Sequence, residues 1–117
     1  MDAQKSLDEL VAMQGGKAAA LIDYHSGMIL ASSGGGFNLD VAAAGNTEVI
    51  RTKMKVMAEL KLDDVIEDIL ITLGKQYHII RPCVKHAGLF VYLVVDKTSN
   101  LAMARRKVQE LELNLDV

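Results

Sequence analysis

The chain has 117 residues, half of them apolar and 24% charged, with 13 basic against 15 acidic side chains and a net charge of −2. That length supports one hydrophobic core, so residues 1–117 are read as a single domain, and the composition excludes a chain disordered throughout. The charge balance gives no strong pull on a phosphate backbone, so nucleic acid is not expected as a partner. The single cysteine, Cys83, can form neither an internal disulfide nor a multi-thiolate zinc site, which fits a reducing compartment. No apolar run reaches the ~20 residues of a membrane span, and the opening Met1-Asp2-Ala3-Gln4-Lys5 lacks the basic-then-apolar order of a signal peptide. A cytoplasmic protein without membrane insertion is expected.

The first element is a helix. Ser6 followed by Glu9 has capping-box spacing, Leu7, Leu10 and Val11 recur at helical intervals, and Gly15-Gly16 ends the segment. Ala18 to Asp23 and Met28 to Ser32 then form two short apolar runs around Tyr24-His25-Ser26-Gly27, the pattern of a β-hairpin. Alanine is a poor strand former, so the first run needs a bulky helix lying close over its small side chains. Gly34-Gly35-Gly36 lacks both the Gly-Lys-Ser/Thr and the Rossmann spacing of a phosphate cradle and reads as a bend.

From about Asn38 to Leu62 the pattern is helical, with Gly45 in the interior at a cost of roughly 1 kcal/mol relative to alanine and as a candidate break. At about 100° per residue, Ala42, Val49, Val56 and Leu60 form one apolar strip, and Ala43, Ile50, Met54 and Met57 form a second. Asn46 and Lys53 lie on the seam between them. Glu48, Arg51, Thr52, Lys55 and Glu59 occupy the opposite, charged side. One strip suffices to dock a helix on a sheet, so the second calls for a partner. The alternative is one broad buried face from which Lys53 snorkels to water.

Past the acidic segment containing Asp63, Asp64, Glu67 and Asp68, Ile69 to Leu73 is a β-branched strand ending at Gly74-Lys75, glycine first as a type II′ turn prefers. Gln76 to Arg81 is its partner, stopped by Pro82. Leu89 to Val95 is apolar at both parities, as a central strand covered on both faces must be. Ser99 or Asn100 caps a last helix with Leu101, Ala104, Val108 and Leu111 on its apolar side and Arg105, Arg106, Lys107, Glu110 and Glu112 on its polar side. The order α-β-β-α-β-β-β-α gives an α+β fold, a five-stranded antiparallel sheet between helices.

Catalytic and cofactor chemistry finds little support. His25, His78 and His86 show no metal-ligand spacing, so neither a metal nor another cofactor is expected. Cys83 and His86, three residues apart after Pro82, would be an enzyme's nucleophile and base only with a reactive, low-pKa thiol. The acidic segment reads as a solvated linker, and Arg105-Arg106-Lys107 as paired within its helix. Methionines Met13, Met54, Met57 and Met103 are core fillers, or parts of an adaptable surface where exposed.

Ala18 to Asp23, Gly27 to Ser32, the Ala42-Ala43-Ala44-Gly45-Asn46-Thr47-Glu48 stretch, Tyr77 to Pro82 and Leu101 to Arg105, in that order, resemble the Roadblock/dynein light chain family, in a bacterial-type single-domain form. The resemblance implies a profilin-like, longin-related fold. It further implies a homodimer in which the third strand, Ile69, Leu70, Ile71, Thr72 and Leu73, pairs with its counterpart and the long helices pack side by side. Asn46, Val49, Ile50, Lys53, Met54, Val56, Met57 and Leu60 are the helix residues of that interface, the division between the two strips being left open. Members resembling this chain are non-enzymatic platforms that regulate Ras-like small GTPases, some without donating a catalytic arginine, or link cargo to motors and signalling complexes. Glu48, Arg51, Thr52, Lys55 and Glu59 are then the partner-binding surface, for a GTPase or a related family member. A different class of function remains open: a small-molecule sensor with a pocket between the long helix and the alanine-rich strand.

Overall fold

The computed structural model describes residues 2–36 and 38–116. Its elements are α1 (Ala3–Ala12), β1 (Gly16–Asp23), β2 (Met28–Gly34), α2 (Leu39–Glu59), β3 (Ile69–Thr72), β4 (Gln76–Pro82), β5 (Leu89–Asp96) and α3 (Leu101–Leu113), in the expected order. All five strands join one antiparallel sheet in the order β2-β1-β5-β4-β3. The chain crosses from one edge to the other through α2, and β5 closes the sheet from the middle.

Two apolar layers follow from strand alternation. Val91, Leu93 and Val95 of β5 meet Leu7 and Leu10 of α1 and Ala104, Val108 and Leu111 of α3. Phe90, Tyr92 and Val94 meet Ala43 and Ile50 of α2. The alanine run is a strand for the expected reason: Ala19 lies in the first layer and Ala20 in the second, and Ala18, Ala19 and Ala20 are all completely buried. Small side chains let helices approach both faces at that point.

The helix starts are set by side-chain acceptors. α1 begins earlier than the Ser6-Glu9 spacing suggests, because the Asp2 carboxylate accepts the Lys5 N–H at 2.8 Å. Ser6 is instead buried inside the helix, its hydroxyl without a partner among the described residues. Asn38 and Asn100 cap α2 and α3 by accepting the Val41 and Met103 N–H groups. After α1, Gly15 turns with φ +83°, and a Cβ at Gly16 would stand 2.2 Å from the Val11 carbonyl oxygen, so only glycine brings the chain straight into β1.

α2 is continuous through Gly45 and ends at Glu59, with Lys61 at φ 55° turning the chain away. The β3–β4 loop is two residues long, as expected, closed by the Leu73 N–H donating to the Gln76 carbonyl. Gly74 does not take positive φ, so the turn is not type II′.

Candidate functional site

α2 presents three faces, and the structure decides between its two apolar strips. Ala43 and Ile50 are buried against the sheet, and Met54 packs at the margin of that layer. Of the other strip, Ala42 is partly buried against the same layer, whereas Val49, Val56 and Leu60 remain 40%, 37% and 63% exposed. A single broad buried face is thereby excluded, and Lys53 stands in solvent beside the exposed strip. Two residues expected at an interface turn inward. Ile50 is fully enclosed by its own chain, and Asn46 is half-buried, with a lowering influence on the Tyr92 pKa that burial outweighs. Their helical phase points them at the sheet, so neither has apolar surface to offer a second molecule. Glu48, Arg51, Thr52, Lys55 and Glu59 are all exposed on the third face.

β3 lies at the sheet edge, paired on one side only by β4. Ile69 and Ile71 pack under α2, whereas Leu70 and Leu73 are 37% and 41% exposed. The segment thus offers an unpaired backbone edge with no charged side chain on it, the arrangement that invites another strand.

Beneath α2, His78 links β4 to β5: its Nδ1 lies 3.1 Å from the Tyr92 hydroxyl and its Nε2 2.9 Å from Gln76 Oε1. Burial holds the His78 pKa below its ordinary value, and burial raises that of Tyr92. On the opposite side of the sheet, Arg81 Nε donates to Glu112 Oε1 at 2.8 Å, and Glu112 Oε2 accepts the Val84 N–H at 3.2 Å. Glu112 is 1% exposed, a correction to its expected place on the polar side of α3. The signal was in the spacing: it lies four residues beyond Val108 and eight beyond Ala104, on the apolar face. Arg105 pairs with Asp68, and Lys107 with Glu9, so only Arg106–Glu110 follows the expected pairing within the helix.

Cys83 is buried, and its pKa is pushed up to about 12 by burial and by the Glu112 charge, against a smaller opposing effect of Arg81. The neighbouring His86 is engaged through Nε2 with the Leu115 carbonyl at 3.0 Å. A thiol nucleophile needs the opposite environment. At the alanine strand the α2 layer covers Ala20, and on the α1–α3 side a gap of about 10 Å³ lies beside Leu21. A larger hollow, of about 590 Å³, lies instead at the C-terminal end of α2, bounded by Met54, Met57, Leu62, Val65, Pro82 and Val84. No periodic pattern announces it, because the walls facing α2 come largely from an irregular segment and a loop. No helix among the described residues is long and apolar enough to cross a membrane.

No family model matches the chain, and no curated protein matches its sequence. Solved structures do share its shape. A Roadblock/LC7 domain from Streptomyces avermitilis superposes with a TM-score of 0.83 at 12% identity, covering 97% of this chain and 94% of that one. MglB from Myxococcus xanthus gives 0.79 at 14% identity over 93% and 87%. The gliding protein MglB from Thermus thermophilus gives 0.79 at 18% identity over 92% and 81%. The chain therefore has the fold of a Roadblock-type domain, the α+β, longin-like architecture that the order of its elements implies.

Proposed function

We propose that the chain is a non-enzymatic platform that pairs with a second copy of itself and holds a Ras-like small GTPase, or a component of a signalling or motility complex, on the charged face of α2. The observation that carries this reading is the line of Val49, Val56 and Leu60, left in water on a helix whose other apolar line already anchors it. Fully burying an exposed large aliphatic side chain contributes about 1.5–3 kcal/mol, and covering the part of each of these three still in water contributes a share of that. The bare edge of β3, Ile69 to Thr72, with Leu73 beyond it, supplies a second contact of the same kind. Lys53 beside the strip sets the register of the facing helix. Arg51, Lys55 and Glu59 lie on a different face of α2, while Glu48 and Thr52 border the strip beside Val49 and Val56. Likeness in fold to a gliding protein favours a motility setting, and the sequence resemblance favours the GTPase.

Two variants separate assembly from partner binding. Val56→Glu places a charge in the exposed strip, and sedimentation equilibrium is expected to show a folded monomer where the wild type is a dimer. Arg51→Glu with Lys55→Glu is expected to leave the dimer intact and abolish retention of a Ras-like GTPase, tested with the organism's own GTPases loaded with GDP or a non-hydrolysable GTP analogue. A wild type that sediments as a stable monomer removes the platform reading, and unchanged GTPase retention removes the charged face.

A further inference from the structure

The hollow at the C-terminal end of α2 is a second candidate surface, distinct from the exposed strip. Met57 and Ala58 line it from the helix. They lie about 80° and 180° around the axis from Val49, so the strip and the hollow open in different directions. Across from them, Val65 is 78%, Val84 68% and Leu62 51% exposed. These are large aliphatic groups clustered around one concavity rather than scattered singly, and such clustering marks an interaction site. Met54 and Met57 in its wall have the flexible, polarisable side chains of adaptable binding surfaces. Its volume of about 590 Å³ exceeds what one inserted side chain fills, and it is open to solvent along one side, as a chain passing over it requires.

Charge narrows the occupant. Asp64 and Glu67 stand at the rim, both exposed. The one cation among the described lining residues, Arg81, has its charge matched by Glu112, and its Nη1 is held by the Glu67 carbonyl at 3.0 Å. The charge carried by the described lining, with Glu112 counted against Arg81, is thus negative. It opposes an acidic peptide, a phosphate or an anionic membrane surface and complements a cation beside an apolar group. We propose that this hollow receives a short segment of a partner protein that inserts two or three apolar side chains and sets a lysine or arginine against Asp64 and Glu67. The inference goes beyond the platform reading and does not depend on it.

The test is selection of a random phage-displayed peptide library on the full chain, followed by affinity measurement of the enriched peptides by fluorescence anisotropy. Enrichment of peptides with two or more apolar residues next to a lysine or arginine is expected. Their binding should weaken about tenfold or more both with Ala58→Trp, which fills the hollow from an exposed helix position, and with Asp64→Lys plus Glu67→Lys, which reverses its rim. Thermal melts by circular dichroism establish that each variant is folded, and the rim pair alters only side chains on an irregular segment. No enrichment, an acidic or uncharged consensus, or affinity that survives either variant overturns the proposal. So does loss of self-association with Ala58→Trp, which would give the hollow to a second copy, or stabilisation by a small cationic amphiphile without peptide enrichment. Peptides that still bind Val56→Glu show the hollow acting independently of the dimer contact.

Discussion

Glu112 carries a negative charge into the layer where α3 packs on the sheet, and it is held there by two donors on different elements, Arg81 Nε on β4 and the Val84 N–H beyond it. A buried ion pair of this kind contributes little net stability against an apolar substitute, but removing one partner strands the other. Glu112→Gln is therefore expected to cost about 3–5 kcal/mol in urea-induced unfolding. Replacing both residues, Arg81→Met with Glu112→Leu, should cost less than the sum of the single changes. Burial, and after it the same carboxylate, raises the Cys83 pKa, which sets a pH dependence. The unfolded thiol ionises near 9.0 and the folded one near 12, so between those values the unfolded state binds fewer protons and stability falls as pH rises. Unfolding midpoints should drop over that window in the wild type and drop less in Cys83→Ala. Native Cys83 should also resist iodoacetamide at neutral pH and react once denatured.

At the scale of elements, α2 shows what a sequence reveals and what it withholds. Its two apolar strips and its charged face are readable from a 100° advance per residue, because helical phase is a local property. Which strip meets the sheet is not local: it depends on where the flanking chain enters and leaves, and only the structure shows Ile50 inside and Val56 outside. Glu112 and the hollow escape a sequence reading for related reasons, one being polar by residue type, the other closed against α2 by an irregular segment and a loop that carry no periodicity. Gly45 lies near the exposed strip in phase, and a Cβ there would meet nothing within 4 Å. In an isolated subunit Gly45→Ala should stabilise α2 by about 0.5–1 kcal/mol, through reduced chain entropy. If a second α2 approaches closely along the strip, the added methyl lies in its path. The expected result in a Val56→Glu background is a higher unfolding midpoint, and in the otherwise wild-type chain a weaker dimer by sedimentation equilibrium. A dimer of unchanged affinity would show that the helices do not come close at Gly45.

Taken whole, the molecule has two sheet edges that differ in how they are guarded. β2 carries an irregularity where Leu21 and Ile22 face Ala31 and Ile29, leaving Leu30 as the extra residue, and α1 reaches over it through Gln4 Nε2 to the Ser32 carbonyl and through the Ser33 hydroxyl donating to Asp8. Bulges and covering side chains are the usual means of refusing another strand. β3 has neither: Ile69 to Thr72 is regular, uncharged and paired in simple register with β4. Because Leu73 donates to Gln76 across the two-residue loop, the inward-bonding positions of β3 are Leu73, Ile71 and Ile69, and the N–H groups of Leu70 and Thr72 point away from the sheet. Thr72→Pro removes one outward donor and leaves the ladder to β4 untouched. It should convert the dimer to monomer with little change in the thermal melt, while Leu30→Glu on the opposite edge should leave sedimentation unchanged. The reverse outcome, dissociation by Leu30→Glu and indifference to Thr72→Pro, would move self-association to the guarded edge and leave the exposed strip of α2 without its accompanying strand contact.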